Sequence, residues 1–266
     1  TDPLWTDYKA LVTPYGFRAC WSSPIRSYQG RVLGTFALYS RLAGEPSAEC
    51  MKLVGMATHI AGIAIERKQA EDSIQFMAHH DALTGLPNRS MLDERVASAI
   101  EAADDSGGTV TLAFIDLDNF KLVNDSLGHH AGDELLKIVS ARMLGCVRAG
   151  DSIVRLGGDE FVVLIDGALP EGETVEARLQ AVRDAVAAPV EIEGRSFQVT
   201  CSMGVASYPA HGRNATELLA RADAAMYRAK EVGRDAMEVF TAELANRAHE
   251  KLERQEELRR ALAQGE

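Results

Sequence analysis

The feature that most constrains the fold is a Gly-Gly turn between two apolar strands. Residues 152–156 and 161–165 are β-branched or apolar, and the glycines at 157–158 supply the positive φ angles that a tight hairpin turn requires. Two acids, Asp159 and Glu160, follow at the tip. A solvated polar turn and a metal-binding turn are both compatible with this local pattern, because hairpin tips are usually polar. The sequence therefore predicts a β-hairpin that carries two adjacent carboxylates.

Length and charge limit the classes of function. A chain of 266 residues with 46% hydrophobic residues can form one full domain with a sizeable core and a smaller unit. The formal net charge of −11 argues against a nucleic-acid partner and against direct contact with an anionic membrane. A local basic pocket for a small anion remains compatible with this charge. We expect neutral or protein partners for the bulk of the surface.

The cysteines and the apolar runs predict a cytoplasmic location. Four cysteines are scattered without a Cys-x-x-Cys pair, which favours buried free thiols in a reducing compartment; they are Cys20, Cys50, Cys146 and Cys201. We expect no run of about 18 apolar residues that could cross a bilayer and no signal pattern at the amino terminus. A membrane anchor of a parent protein would then lie outside this chain.

The chain is expected to contain four segments. Residues 1–46 hold short strands and turns. The combination of Ser23-Pro24-Ile25, Gly30-Arg31-Val32-Leu33-Gly34-Thr35 and the helix that follows resembles the carboxy-terminal half of a GAF sensory domain. Residues 47–78 form a signalling helix, residues 79–240 form the main domain, and residues 241–266 form a charged linker helix. The last segment resembles the linker that enters an EAL phosphodiesterase domain in tandem proteins, which predicts a further domain beyond it.

The helix 47–78 carries apolar residues at alternating spacings of three and four: Leu53, Met56, Ile60, Ile63, Ala70, Ile74 and Met77. A sustained heptad seam is typical of a two-stranded coiled coil and predicts a homodimer through this helix. Additional apolar residues near its start broaden the face and also favour a helix docked on the sensory segment. Both interpretations stay open at this point.

Residues 79–240 alternate between helical and strand periods. The pattern predicts helices at 89–102, 131–147, 173–187 and 214–231, with strands at 110–116, 197–207 and 236–240 in addition to the hairpin. The expected fold class is α+β, an α/β sandwich with a mixed sheet flanked by helices, preceded by the long helix.

A further carboxylate ends a buried strand. Asp116 follows the apolar run 111–115, and Asp118 comes two residues later. Taken alone, Asp116 is a candidate helix cap. Together with Asp159 and Glu160, it would place three carboxylates in one small sheet, where they would repel each other unless a cation lay between them. Mg²⁺ suits such a site, because it binds through one or two carboxylates, waters and substrate phosphates.

Five motifs occur in the order found in GGDEF-domain diguanylate cyclases, and this part of the chain resembles that family over about residues 79–240. The motifs are Asp81-Ala82-Leu83-Thr84-Gly85-Leu86-Pro87-Asn88-Arg89, Asp116-Leu117-Asp118-Asn119-Phe120-Lys121, Asn124-Asp125 with Gly128-His129 and Gly132-Asp133, Gly157 to Phe161, and Ser202-Met203-Gly204-Val205-Ala206. The resemblance implies a palm-like sheet related to nucleotidyl cyclases and polymerases. It also implies a bacterial enzyme that condenses two GTP into cyclic di-GMP and two pyrophosphates.

The resemblance further implies the metal ligands and the catalytic acids. Asp116, the Leu117 carbonyl and Asp159 would bind Mg²⁺, or Mn²⁺ as an alternative, with Glu160 beside them. One acid would help to deprotonate the attacking 3′-hydroxyl. Neighbouring strand residues face opposite sides, so the residue types do not decide between Asp159 and Glu160 as the proton acceptor, and we favour Asp159.

Other residues are assigned to the nucleotide. Guanine offers two adjacent donors that a carboxylate accepts together, and the resemblance gives this role to Asp133 with Asn124, although Asp133 could also cap the helix that follows. Lys230 and Arg234 flank Gly233 at an expected helix end, where they could offset the helix dipole. The resemblance assigns both to the triphosphate, together with the segment Asn119, Phe120 and Lys121.

Arg148 and Asp151 match the Arg-x-x-Asp inhibitory site of many such cyclases, five residues before Gly157. Arginine grips guanine N7 and O6 in a bidentate geometry, and a carboxylate accepts from the donors of the base. A salt bridge within a turn would give the same pattern. We expect cyclic di-GMP to bind here and inhibit the enzyme.

Two functions follow as hypotheses. The first is an active cyclase that works as a dimer, since each GTP must meet a second one held by the partner. The second is a regulatory module that binds GTP or cyclic di-GMP and controls an attached EAL phosphodiesterase.

Overall fold

The computed structural model describes residues 13–244 apart from 168, 171 and 193. The chain divides into two compact units, residues 1–76 and residues 77–266. The helix predicted for 241–266 lies outside the described residues from position 245 onward.

The first unit contains a β-hairpin packed on a helix. Strands β1 (Ala19–Arg26) and β2 (Val32–Ser40) pair antiparallel. Helix α1 (Ala48–His79) comes so close to the end of β1 that a Cβ added at Gly62 would lie 2.7 Å from the Arg26 carbonyl oxygen. The absence of a side chain at position 62 therefore permits the contact between hairpin and helix.

Helix α1 exposes a long row of apolar side chains. Only Val54 and Gly62 are buried among its described residues. Most of the predicted seam is exposed: Leu53, Met56, Ile60, Ile63, Ile74 and Met77. By length and composition α1 is also apolar enough to cross a membrane, which corrects the expectation that the chain has no such run. A single helix of this kind is weak evidence for a membrane span.

The second unit is built on a five-stranded sheet. Its elements are α2 (Arg89–Ser106), β3 (Val110–Leu117), α3 (Phe120–Leu127), α4 (His129–Leu144), β4 (Ser152–Gly157), β5 (Glu160–Asp166), α5 (Val175–Ala187), β6 (Val190–Ile192), β7 (Arg195–Phe197), β8 (Cys201–Tyr208), α6 (Ala215–Glu231) and β9 (Met237–Val239). The strand order is β4-β5-β3-β8-β9, and only β8 and β9 run parallel. Strands β6 and β7 form a separate two-stranded ribbon. The mixed sheet agrees with the predicted fold class.

Helices cover both faces of this sheet. All eight residues of the central strand β3 are buried. Ala113, Ile115 and Leu117 face a core shared with α4 and α5. Leu112 and Phe114 face the opposite core, which α2 and α6 complete. Because successive side chains of a strand point to opposite sides, a strand with apolar residues on both faces needs a cover on each face, which gives the three-layer α/β sandwich.

Several boundaries differ from the predicted ones. Helix α4 begins at His129 instead of residue 131, because the chain enters it directly from Gly128. The strand predicted at 197–207 is split: its first part belongs to β7, whereas β8 begins at Cys201. All four cysteines are free, but only Cys201 is buried, so burial of the other three thiols was wrong.

Candidate active site

The hairpin brings its acids to the end of the central strand. Gly157 and Gly158 adopt φ angles of 148° and 54°, and β5 begins immediately after the turn at Glu160. In the pairing of β3 with β5, Glu160 lies directly opposite Asp116. The Leu117 amide donates a hydrogen bond to the Asp159 carbonyl oxygen at 3.2 Å. The turn and the end of β3 are therefore adjacent.

Asp116 is a strand residue, and the helix-cap alternative is wrong. It lies inside β3, whereas α3 begins four residues later after Asn119, which itself makes no side-chain capping bond. Burial raises the pKa of Asp116 above the ordinary carboxyl value, against the effect of Lys230. The neighbouring carboxylates of Asp159 and Asp118 raise it further. Negative charge is thus disfavoured at this position.

Glu160 has the same electrostatic character. Burial raises the pKa of its carboxyl, and Asp116, Asp159 and Asp223 add to this effect. Asp223 lies on α6 and was not singled out from the sequence; burial also raises its pKa. Three neighbouring carboxylates therefore act on Glu160 at this end of the sheet, and this repulsion favours a cation between them.

One protein cation is already present. The Lys230 ammonium, near the end of α6, lies 2.7 Å from Asp116 Oδ2. Among the described residues, no group of three or more His, Cys, Asp or Glu side chains is arranged to hold a metal ion. Mg²⁺ needs only one or two protein carboxylates when substrate phosphates supply other ligands. The pKa values of Asp116 and Glu160 are raised. A divalent cation bound to their carboxylate oxygens would reduce the repulsion between them and favour the ionised forms.

Helices α3 and α4 bring Asn124 close to Asp133 in the chain's next helix. A Cβ added at Gly132 would lie 1.9 Å from Asn124 Oδ1, so the amide rests directly over this glycine. Asp133 is exposed and lies within α4, which begins at His129 after Gly128. Capping by Asp133 is therefore wrong, and its side chain is exposed.

The segment that enters α3 is shaped by a left-handed residue. Asn119 has φ 59° and precedes the helix, while the Phe120 side chain is buried and Lys121 is exposed. The amides of Leu122 and Val123 donate to the Asn119 carbonyl oxygen, which closes the first turn. The amides of Asn119 and Phe120 come at the amino end of the helix, where N–H groups lack intrahelical partners.

Arg234 follows α6 on a short loop. Its side chain is exposed, and its φ of 63° lies in the left-handed region. Its amide donates to the Ala229 carbonyl oxygen at 3.1 Å and so ends the helix. No ion pair joins Arg234 to another residue in the part of the chain that the structure describes.

The turn before β4 contains a charged cluster that is more extensive than predicted. Asp151 has a buried side chain and accepts from Arg178 at 2.5 Å and from the Arg148 amide at 3.2 Å. Arg178 comes from α5 and also pairs with Glu173. Arg148, whose side chain is 29% exposed, donates to the Asp166 carbonyl oxygen at 2.8 Å.

Arg178 was missed in the sequence. It lies on the same face of α5 as Leu179, Val182 and Val186, all of which are buried. A charged residue on an apolar helical face is the pattern that could have indicated a buried ion pair.

Arg155 was missed for a similar reason. It lies at an inward position of β4 and donates to the Gly158 carbonyl oxygen at 2.7 and 3.1 Å. Its guanidinium also forms an ion pair of 2.7 Å with Asp81. Burial alone would raise the pKa of Asp81, but hydrogen bonds from Thr84 and Arg155 outweigh it and lower the pKa. This arginine ties the first sequence motif to the hairpin turn.

Comparisons with known proteins show which proteins this chain is similar to. The chain is 39% identical over 260 residues to the cyclic di-GMP phosphodiesterase NbdA of Pseudomonas aeruginosa, which covers 98% of this chain and 32% of NbdA. It is 42% identical over 161 residues to the diguanylate cyclase DgcP of the same organism, covering 60% of this chain and 23% of DgcP. The chain therefore spans about a third or less of the length of these relatives.

The similarity extends to solved structures and to family sequences. The coiled coil and GGDEF domain of DgcB from Caulobacter crescentus, in complex with cyclic di-GMP, matches with a TM-score of 0.58 at 26% identity, over 69% of this chain and 96% of that one. Residues 1–65 match the GAF domain, and residues 78–236 match the family described as diguanylate cyclase, GGDEF domain. The chain therefore belongs to the GGDEF-domain diguanylate cyclase family.

Proposed function

We propose that this chain condenses two GTP molecules into cyclic di-GMP and two pyrophosphates. The observation that carries the proposal is the placement of Asp116 opposite Glu160 on adjacent strands, with the Lys230 ammonium 2.7 Å from Asp116. Carboxylates beside a lysine form a site that suits both a divalent cation and a polyphosphate. An acidic chain needs such a local arrangement to bind a polyanion.

The two hairpin acids have different environments, which suggests separate roles. The raised pKa of Glu160 makes its carboxylate a better proton acceptor for the 3′-hydroxyl of the attacking nucleotide. Asp159 lies in the turn, and its carbonyl is hydrogen bonded to Leu117 at the end of β3. The sequence favoured Asp159 as the acceptor; with the raised pKa of Glu160 we instead propose Glu160 as the acceptor and assign Asp159 to holding the metal ion.

The GGDEF family is generally metal-dependent, and the residues here fit Mg²⁺ or Mn²⁺. Asp116, the Leu117 carbonyl and Asp159, with Glu160 beside them, would hold the ion, and the bound ion would lower the pKa of the 3′-hydroxyl and offset phosphate charge. Asp116 is rigid because it belongs to the buried central strand. The Lys230 side chain is partly exposed. Its ammonium would move away from Asp116 and contact the phosphates.

The nucleotide would lie between helices α3, α4 and α6, close to the end of β3 that carries Asp116. The Asp133 carboxylate and the Asn124 amide would accept from and donate to the Watson-Crick edge of guanine. Lys230 and Arg234, with Lys121 and the amides of Asn119 and Phe120, would contact the triphosphate. The two contact sets come from α3 with α4 and from α6 with its following loop.

A homodimer would supply the second nucleotide. Each active site holds one GTP in this scheme, so the two sites must face each other across a partner. The exposed apolar row on α1 is the surface that a second copy of the helix would cover. We also propose that the parent protein carries an EAL domain beyond residue 266.

Product inhibition would act through the cluster before β4. Asp151 already accepts from Arg178 and Arg148, so cyclic di-GMP would first meet the more accessible Arg148. Arg178 would then add a second guanidinium for guanine or phosphate. Replacement of Arg148 by Ala should raise the product concentration that halves activity, whereas an unchanged value would exclude this residue from the inhibitory site.

A second candidate is a regulatory module for an attached phosphodiesterase. It is favoured by the alignment of 98% of the chain with NbdA, whose name describes a phosphodiesterase. GTP or cyclic di-GMP would then bind without turnover. The same site residues would bind the nucleotide in both functions. A measurement of GTP turnover therefore distinguishes them.

The test is incubation with GTP and Mg²⁺ over a range of protein concentrations, with pyrophosphate and cyclic di-GMP measured together. We expect two pyrophosphates for each cyclic di-GMP, and Asp159→Asn should lower the rate by about 100-fold or more. GTP binding without product at every concentration would establish the regulatory module instead.

A further inference from the structure

Asp118 is a buried carboxylate whose hydrogen bonds come from groups outside the acidic cluster. Its exposed fraction is 4%, and its two oxygens accept three hydrogen bonds. Ser202 Oγ donates to Oδ1 at 2.7 Å, and Thr200 Oγ1 donates to Oδ2 at 2.7 Å. The Asp235 amide donates to the same Oδ2 at 3.0 Å. A buried carboxylate with three donors is fully satisfied by the protein and is not a metal ligand here.

These bonds join three separate parts of the fold. Asp118 follows β3, Thr200 and Ser202 lie at the start of β8, and Asp235 belongs to the loop after α6. The Asp118 amide also donates to the Thr200 carbonyl oxygen at 2.9 Å. Two side-chain hydroxyls therefore fix the orientation of the Asp118 carboxylate, and the carboxylate in turn holds the backbone of the loop.

The loop needs such support because its backbone is unfavourable. Arg234 and Asp235 have φ angles of 63° and 43°, in the left-handed region that residues with a Cβ seldom occupy. Conformations of this kind persist only where the surroundings determine them. A second brace comes from Arg183 of α5, which donates to the Asp235 carbonyl oxygen at 2.5 Å and to its carboxylate at 3.0 Å.

We propose that Asp118 is a positioning residue that fixes the Arg234 loop so that the arginine meets the phosphates of the nucleotide. The inference rests on the proposed function, in which Arg234 contacts the triphosphate. Asp118 holds the peptide N–H directly after Arg234, and the exposed guanidinium extends from that fixed point. Loss of Asp118 therefore affects the phosphates and leaves recognition of the base unchanged.

The experiment compares binding of GTP with binding of guanosine, which lacks phosphates. Asp118→Ala should weaken GTP binding about tenfold or more, the effect of losing a charge-assisted hydrogen bond, while guanosine binding stays within about twofold. Asp118→Asn should recover most of the affinity, since its amide oxygen still accepts from Asp235 and its NH₂ group donates to the Ser202 hydroxyl. The control for the loss of charge is Asp184→Asn, at an exposed position of α5. It should change the binding affinity of neither GTP nor guanosine.

Three further variants cover the case in which Asp118→Ala does not fold. Thr200→Val removes one supporting hydroxyl at similar volume, and Thr200→Ser retains it, so only the first should weaken GTP binding. Arg183→Gln removes the second brace and should lower GTP affinity relative to guanosine in the same way. Thermal unfolding of each variant separates loss of fold from loss of loop geometry.

The outcomes distinguish the inference from the proposed function. If the parent chain binds neither GTP nor guanosine, the proposed function fails. If the parent binds both, and folded Asp118→Ala and Thr200→Val keep the parent ratio of GTP to guanosine affinity, the positioning role is overturned. A fall in both affinities by the same factor would also overturn it, because it would indicate a general structural role.

Discussion

At the scale of single residues, the site is defined by carboxylates that resist ionisation. Asp116 and Glu160 have raised pKa values because they are partly buried and lie near other acids. Lys230 compensates only part of this charge. Carboxylates with perturbed pKa values cluster at functional sites, which supports the proposed role of these acids.

Glu160→Gln should stabilise the protein while it removes activity. The folded-state pKa of Glu160 lies above its ordinary value of 4.5, so the stability linked to its protonated form is complete below that value and is lost as pH rises through the raised pKa. In EDTA at pH 7 the variant should unfold about 2 °C higher than the parent. Calorimetry from pH 4 to pH 8 would measure this difference, which should vanish at the acidic end.

The matched control is Glu101→Gln, at an exposed position of α2. It should leave the unfolding temperature and the rate of cyclic di-GMP formation unchanged. A Glu160→Gln variant that unfolds at a lower temperature than the parent at pH 7 would contradict the repulsion that we infer.

Gly132→Ala should reduce GTP affinity by about tenfold or more without loss of helix stability. The added Cβ would lie 1.9 Å from Asn124 Oδ1 and would displace the amide from its place over Gly132. Alanine favours a helix over glycine by about 1 kcal/mol, so the unfolding temperature should not fall through the backbone. Calorimetric titration with GTP measures the change.

Gly55→Ala is the control for this substitution, because it is also a helical glycine but has no atom within 4 Å of the added Cβ. It should leave nucleotide binding intact. If Gly132→Ala binds GTP as tightly as the unsubstituted chain, Asn124 does not contact the guanine base.

At the scale of elements, the hairpin depends on a contact with a distant segment. Arg155 holds the Gly158 carbonyl oxygen and Asp81, and its amide donates to the Pro87 carbonyl oxygen at 2.9 Å. Residues 81–87 follow α1 directly. The orientation of the catalytic turn is thereby linked to the segment that leaves the long helix.

Arg155→Met should therefore lower kcat for cyclic di-GMP formation by about 10- to 100-fold, with a much smaller change in KM. Methionine preserves much of the side-chain volume but cannot hold the turn, and small displacements of catalytic groups cost about this much in rate. Steady-state kinetics would separate the two constants. Asp81→Asn should have a weaker effect, because it still accepts from Arg155; an effect on KM alone would place Arg155 in substrate binding.

Element types followed from local patterns, with specific exceptions. The all-buried strand β3 and the hairpin were predictable, because an apolar run and a Gly-Gly turn act through neighbouring residues. The start of α4 was placed two residues late, because the chain enters the helix directly from Gly128. Local patterns did not fix this boundary, and Gly132, within the first turns of the helix, packs against Asn124 of α3.

At the scale of the whole molecule, the proposed activity depends on two copies of the chain. The exposed row on α1 contains Ile60 and Ile74, with exposed fractions of 63% and 64%. Large apolar side chains in a repeating row lose contact with water when a second helix covers them. Catalysis and association are thus expected to change together.

Replacement of both Ile60 and Ile74 by Lys should shift the chain to monomer and lower cyclic di-GMP formation about tenfold or more at micromolar protein, since charge in a coiled-coil seam is strongly unfavourable. GTP binding to each monomer should persist. Analytical ultracentrifugation and the turnover assay measure the two effects. Gln69→Lys, at an exposed position outside the seam, is the control; a variant that remains fully active as a monomer would refute the two-copy mechanism.

Local sequence patterns were enough to predict the hairpin, the burial of β3 and the order of the motifs that indicate the family. The partners of the charged groups became known only from the folded arrangement. Arg178 pairs with Asp151 across 27 positions, Arg155 with Asp81 across 74, and Asp118 with the Asp235 amide across 117. Periodicity and turn residues act over a few neighbours, whereas these contacts depend on how distant elements pack. The chain's own pattern therefore located the acids, and the packing of β3, β8 and the helices assigned their partners.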